Sequence, residues 1–243
     1  MPRTVKDEPP DLADMVVIRQ VRDYARSKGV DPEPLLEHVG IDPADVDVPD
    51  TYVDAEQWYR FQVELAGVLK DPLLGLRLTE YIGVKEGYGL PGALFALATS
   101  GRGALEMLVR ILPKFLPRTT FRAEPEGDVM RVTVSLDYPD ELTWAHRQEM
   151  IGGMRQNTQV LAGASFTPRA VRLRQREGDA AALRAFFGVD VELGADVDEI
   201  ELPMEAMTRP SPTADPVLLR HLEDAIEVQL ERRRAWEIGR AHV

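Results

Sequence analysis

Cysteine is absent from the 243 residues, and with it go disulfides, thiolate nucleophiles and cysteine-ligated zinc. Histidine is scarce: His38, His146, His221 and His242 stand singly, without the spacing of a metal site. No serine sits in a nucleophile-elbow pattern. The glycine-rich stretch "GVKEGYGLPG" lacks the strand-then-helix setting of a dinucleotide loop, and no lysine in it is followed by serine or threonine as in a phosphate loop. No apolar run approaches the roughly 20 residues that cross a bilayer, and the opening "MPRTVKDEPPDLADMV" has no secretory apolar core. Positive charge is short as well. With 29 basic against 41 acidic side chains the net charge is −12, so the surface repels phosphate and anionic lipid. These absences predict a cytoplasmic protein with no catalytic residue, cofactor, metal or membrane contact, and a poor partner for nucleic acid.

What is present is a long series of amphipathic segments. Residues 1–13, charged and carrying Pro9 and Pro10, read as a flexible arm. "MVVIRQVRDYARSKG" places Val17, Ile18, Val21 and Tyr24 at helical spacing and stops at Gly29. A short helix in "DPEPLLEHVGI" and a proline-rich connector lead to Asp54, which caps a helix with Trp58, Phe61 and Leu65 in one stripe. Further helices follow in "PLLGLRLTEYIG", in "LPGALFALATS", and after Ser100, where Pro113 and Pro117 mark the end. The period then changes to two on both sides of Gly127-Asp128, which predicts a β-hairpin. A long helix, "ELTWAHRQEMIGGMRQNTQVLAG", precedes a strand in "RAVRLRQ", a short helix in "DAAALRAFFG" and two strands in "VDVELGADVDEIELP". The order predicts an α+β fold: a mainly helical N-terminal half, a small antiparallel sheet with interleaved helices, and a C-terminal linker helix beyond the strap "MTRPSPTADP".

The helix from Trp144 to Gly163 offers the candidate site. Gly152 and Gly153 weaken a helix interior by about 1 kcal/mol each against alanine, which close packing against another backbone would offset. Residues 147, 151, 154, 158 and 161 share one face. Arg147 and Thr158, beside Met154, either point into an interior cavity that a small molecule fills, or serve locally, Arg147 capping surface acids and Thr158 bonding its own helix. Trp58, Tyr59, Tyr88 and Phe95 likewise either line a pocket or fill the core. The ligand-binding candidates are Trp58, Tyr88, Phe95, Trp144, Arg147, Met154 and Thr158. Leu218, Leu222, Ile226 and Leu230 recur every fourth residue of the last helix and are the candidates for packing on the domain or on a second copy.

Two stretches carry a resemblance. "DPLLGLRLTEYIGVKEGYGLPGALFALATSGRGALEMLVRILPKFLP", and "FFGVDVELGADVDEIELPMEAMTRPSPTADPVLLRHLE" with its Phe186-Phe187-Gly188 turn and its strap from Arg209-Pro210 to Asp215-Pro216, resemble the N-terminal, arabinose-binding-like domain of AraC-type transcriptional regulators from Val30 to Leu222. The resemblance implies an effector-sensing domain at 14–207 and a strap and dimerisation helix at 208–236, followed in such regulators by two helix-turn-helix motifs. Only nine residues follow Arg234, so the DNA-binding domain is expected to be missing here. "EIGRAHV", 237–243, fits nothing in the family pattern and is expected to be a non-native tail. The functional expectation is a small-molecule sensor, a homodimer reaching DNA only through the missing domain. A standalone module that heterodimerises with a complete regulator is the alternative, and an enzyme the more remote one.

Overall fold

The structure is a computed structural model and describes residues 11–86, 89–116, 118–163 and 165–240. It is α+β. The chain opens with strand β1 (Leu12–Asp14), helices α1 (Val16–Ser27) and α2 (Glu33–His38), and strand β2 (Tyr52–Asp54). β1 and β2 pair antiparallel, Leu12 opposite Asp54 and Asp14 opposite Tyr52. Residues 11–13 are therefore not part of a free arm: Leu12 is buried and Ala55 N–H donates to Asp11 C=O at 2.7 Å. The proline and charge content that suggested an arm belongs to residues 1–10, which lie outside the described residues.

Four helices follow: α3 (Ala55–Leu69), α4 (Leu74–Glu86), α5 (Leu90–Leu97) and α6 (Gly101–Phe115). Asp54 accepts from Glu56 N–H and Ser100 from Gly103 N–H, so α3 and α6 begin where a side-chain oxygen meets an orphan donor. α4 departs from helical geometry at Gly83, whose φ of 68° glycine tolerates. α6 continues through Pro113 instead of ending there. In the last turn proline removes a single backbone bond, and the carbonyls beyond it are served from elsewhere: Arg233 donates to Lys114 C=O at 3.4 Å and to Phe115 C=O.

The second half builds a five-stranded sheet from β3 (Thr119–Glu126), β4 (Val129–Leu136), β5 (Ala170–Leu173), β6 (Val191–Leu193) and β7 (Asp198–Pro203), in the order β3-β4-β7-β5-β6. Val132, Val171 and Ile200 share one buried face, Ile200 standing opposite both valines. The expected antiparallel sheet is mixed at one edge. β6 runs parallel to β5, because the crossover through α8 (Ala180–Phe187) brings the chain back in the same direction. α7 (Asp140–Ala162) packs between this sheet and α4; α9 (Met204–Thr208) and the long α10 (Pro216–Arg240) complete the chain.

Glycine sets how closely α7 can be approached. A Cβ on Gly75 of α4 would stand 1.9 Å from Ala145 O and 2.8 Å from Glu149 N. The backbone-to-backbone approach expected of α7 is thus made by a glycine on its partner. Gly152 meets side chains, Leu76 Cδ2 at 2.8 Å and Thr79 Oγ1 at 3.2 Å, whereas nothing lies within 4 Å of a Cβ on Gly153.

Candidate functional site

Gly153 faces open space because it borders a cavity of about 100 Å³ where several helices and both ends of the described chain converge. α7 contributes His146, Met150, Gly153, Met154 and Asn157; α3 contributes Trp58; α5 contributes Phe95. Leu108, Leu112 and Phe115 of α6 and Phe121 of β3 add an aliphatic and aromatic wall. β1 and the start of α1 close another side through Leu12, Asp14 and Val16. The last side is Gln229 of α10. The side chains of eight separate elements thus fail to fill the space between them, and what remains is mostly apolar and lacks lysine and arginine among its described lining residues.

Polar atoms on this wall are few and three are unsatisfied. Trp58 and His146 are each 1% exposed, with ring centroids 4.3 Å apart. Trp58 Nε1, His146 Nε2 and Gln229 Oε1 find no hydrogen-bond partner among the described residues. Such orphans are rare in folded proteins and identify places where a missing partner belongs. His146 is otherwise held firmly. Tyr59 stacks on it at 5.0 Å, and its Nδ1 lies 3.4 Å from Glu149 Oε2, which also accepts from Gln62 Nε2 at 2.8 Å. Burial drives the Tyr59 hydroxyl well above its usual titration range, so it stays neutral behind the histidine.

α10 is tied to the same wall. Gln229 Nε2 donates to Asp14 Oδ2 at 2.9 Å, and Asp14 Oδ1 accepts from Val16 N–H at 2.8 Å. Beyond Gln229, Trp236 meets the Tyr52 ring at 5.7 Å and Arg232 pairs with Asp50 at 3.0 Å. On the α6 side, Arg110–Glu223 (2.7 Å) and Lys114–Glu227 (2.8 Å) lock the two helices in parallel at matching four-residue steps. Below lies Asp11. Its carboxyl accepts from Tyr138 Oη at 2.9 Å, and burial raises its pKa from the ordinary 3.8.

The model of the arabinose-binding domain of AraC transcription regulators, the N-terminal domain, matches residues 29–211. The chain belongs to that family. Among solved structures, this AraC-type domain is similar to the transcriptional regulator CdpR from Pseudomonas aeruginosa, with a TM-score of 0.63 and 19% identity over 89% of this chain and 65% of that one. At that identity the likeness is one of fold, and the AraC-type chain spans just under two thirds of the regulator's length. No curated protein matches it. No described helix is long and apolar enough to cross a membrane.

The residues singled out in the sequence of this AraC-type domain fall into three groups. Trp58, Phe95 and Met154 stand on the cavity wall. Trp144, Arg147 and Thr158 do not. Trp144 packs half-buried against the core. Arg147, 3% exposed, turns to the end of the sheet, with Nε 2.9 Å from Asp198 Oδ2, off the line of a hydrogen bond, and Nη1 within 2.9 Å of Asp140 and 2.7 Å of Thr143. Thr158 meets the Met207 sulfur at 3.8 Å. Tyr88 lies outside the described residues. His146, Asn157, Asp14 and Gln229, which the sequence reading left aside as site residues, are the polar part of the wall. Only His146 and Asn157 carried a local sign, as polar residues in the Gly152-Gly153 helix; Asp14 and Gln229 meet through the tertiary fold alone.

Proposed function

We propose that this domain is the effector-sensing part of an AraC-type transcriptional regulator, that a small molecule occupies the cavity bounded by Trp58, His146 and Gly153, and that occupancy is passed to DNA-binding motifs through α10. The observation that carries this reading is Gln229: one side chain of α10 both lines the cavity and holds the Asp14 carboxylate. A ligand touching that wall has differential contacts with the positions α10 can take, which is what linkage requires. Trp58, Phe95 and Met154 are the ligand-contacting residues in this reading, with His146 and Asn157 added. The exposed upper part of α10, Val217 and Leu218, is assigned to a second copy of the chain. Contact with DNA falls to helix-turn-helix motifs, not to an acidic surface of charge −12.

A thermal-shift screen of the full chain against small metabolites, with hydrogen exchange on α10, tests the reading. A ligand at a hundred times its Kd adds about 2.7 kcal/mol to stability, and it is expected to slow amide exchange around Gln229. A panel in which no compound raises Tm, or in which a binding compound leaves α10 exchange unchanged, overturns it.

A further inference from the structure

The cavity wall also restricts which chemistry can enter, an inference that rests on the cavity being the effector site. Charge is the first filter. No lysine or arginine is among the described lining residues, so a carboxylate or phosphate would lose its water without a counter-ion. Asp14 is the single acid among the described lining residues, and its oxygens are occupied by Val16 N–H, by Gln229, and by Arg19 at 3.8 Å. A buried ammonium therefore finds no free carboxylate, and the neutral Gln229 Oε1 alone does not replace its water. Polyols fail for a related reason: most of the wall is Leu, Val, Phe and Met, so most of a sugar's hydroxyls would be stripped of water and left unpaired. Size is the second filter. The cavity holds about 100 Å³, less than the ~150 Å³ of an engineered apolar cavity that accepts one benzene ring, so one ring is the upper limit.

Polar complementarity narrows the choice further. The unpaired atoms are an indole N–H, which can only donate, Gln229 Oε1, which can only accept, and His146 Nε2, whose role follows the tautomer. A hydroxyl oxygen accepts from the indole, and its own proton and lone pairs suit either form of the histidine. The rings of Trp58 and His146 that carry two of these atoms stand 4.3 Å apart at their centroids. We propose that the effector is a small, uncharged, mostly apolar molecule no larger than a single ring that carries one hydroxyl, an alcohol or a phenol, bound against Trp58 and His146 on the wall that Gln229 closes.

Isothermal titration of the full chain with phenol, benzene, benzoate, benzylamine and L-arabinose tests this. Phenol is expected to bind about five- to tenfold more tightly than benzene, the difference one or two net hydrogen bonds make, and at least about tenfold more tightly than the other three. Trp58→Phe should erase most of the advantage over benzene while leaving benzene binding in place. Gly153→Leu, built into space where nothing lies within 4 Å of a new Cβ, should block both probes while the chain keeps a cooperative thermal transition. Benzoate, benzylamine or arabinose binding as tightly as phenol overturns the ligand class and leaves the sensor reading standing. Silence from every probe also overturns the class, and the sensor reading falls with it only when the metabolite panel is silent too. Phenol affinity unchanged in Gly153→Leu puts binding elsewhere and overturns the proposal.

Discussion

Three glycines touching one helix crossing make opposite demands on a single added methyl. Gly153→Ala adds a Cβ to open space in a helix interior and is expected to stabilise the fold by about 0.5–1 kcal/mol. Gly152→Ala drives into Leu76 and Thr79 and should destabilise by about 1–3 kcal/mol. Gly75→Ala meets backbone at 1.9 Å, which no rotamer relieves, and should lose the cooperative transition altogether. Urea melts of the three variants give the ranking, and a Gly153→Ala less stable than Gly152→Ala would contradict it. At this scale the sequence revealed that α7 carries unusual glycines but not that they differ, because the difference lies in what α4 brings to the crossing. Asp11 supplies a pH signature. Its raised pKa means that the fold binds the carboxyl proton more tightly than the unfolded chain does. Its contribution therefore favours folding below about pH 4 and is lost as pH rises through the folded value. Asp11→Asn, which cannot titrate and still accepts from Tyr138, is expected to match or exceed the parent in stability at pH 7. That advantage should shrink as pH falls toward 4. Denaturant midpoints at both pH values check it, and a variant that gains on the parent during acidification has the wrong sign.

Among the elements, those begun by local chemistry were readable in advance and those made by distant pairing were not. Asp54, Ser100 and Asp179 each cap the helix that follows, and the Gly127-Asp128 turn joins β3 to β4. β1 and β2 have three residues each and exist only because Leu12 meets Asp54, so neither has a period long enough to read. The same limit governs the site. Helical spacing put Arg147 and Met154 on one face of α7, yet Asp198, which claims Arg147, comes from a strand outside that pattern. α10 adds a geometric lesson. A leucine-type residue every fourth position advances about 40° per step on a 3.6-residue helix, so Leu218 and Leu230 lie about 120° apart. Ile226 and Leu230 are accordingly buried in the chain's own core, Leu222 is half-buried, and Leu218 is 44% exposed. Ile226→Ala and Leu230→Ala should each destabilise the domain by about 2–4 kcal/mol and Leu218→Ala by less than about 0.5 kcal/mol. Equal effects at all three positions would mean that Leu218 is covered in solution, and sedimentation would then identify the covering copy.

At the scale of the whole molecule, charge and topology set what the domain does alone. Since a surface carrying −12 repels a polyanion, this chain is expected to leave a DNA duplex unshifted in a gel at about 10 μM protein and 150 mM salt. A shift that weakens steeply with added salt would reveal a basic face that the net charge conceals. The bond between Asp14 and Gln229 spans 215 positions of sequence, and closing so long a loop is slow relative to forming the helices between. The wall that Leu12 and Asp14 help to form is therefore complete only when α10 is in place. A nascent chain halted before that point would already possess Trp58, Phe95 and His146, but with the Gln229 side of their groove still open. The finished cavity and its connection to α10 thus form in one event, when α10 docks.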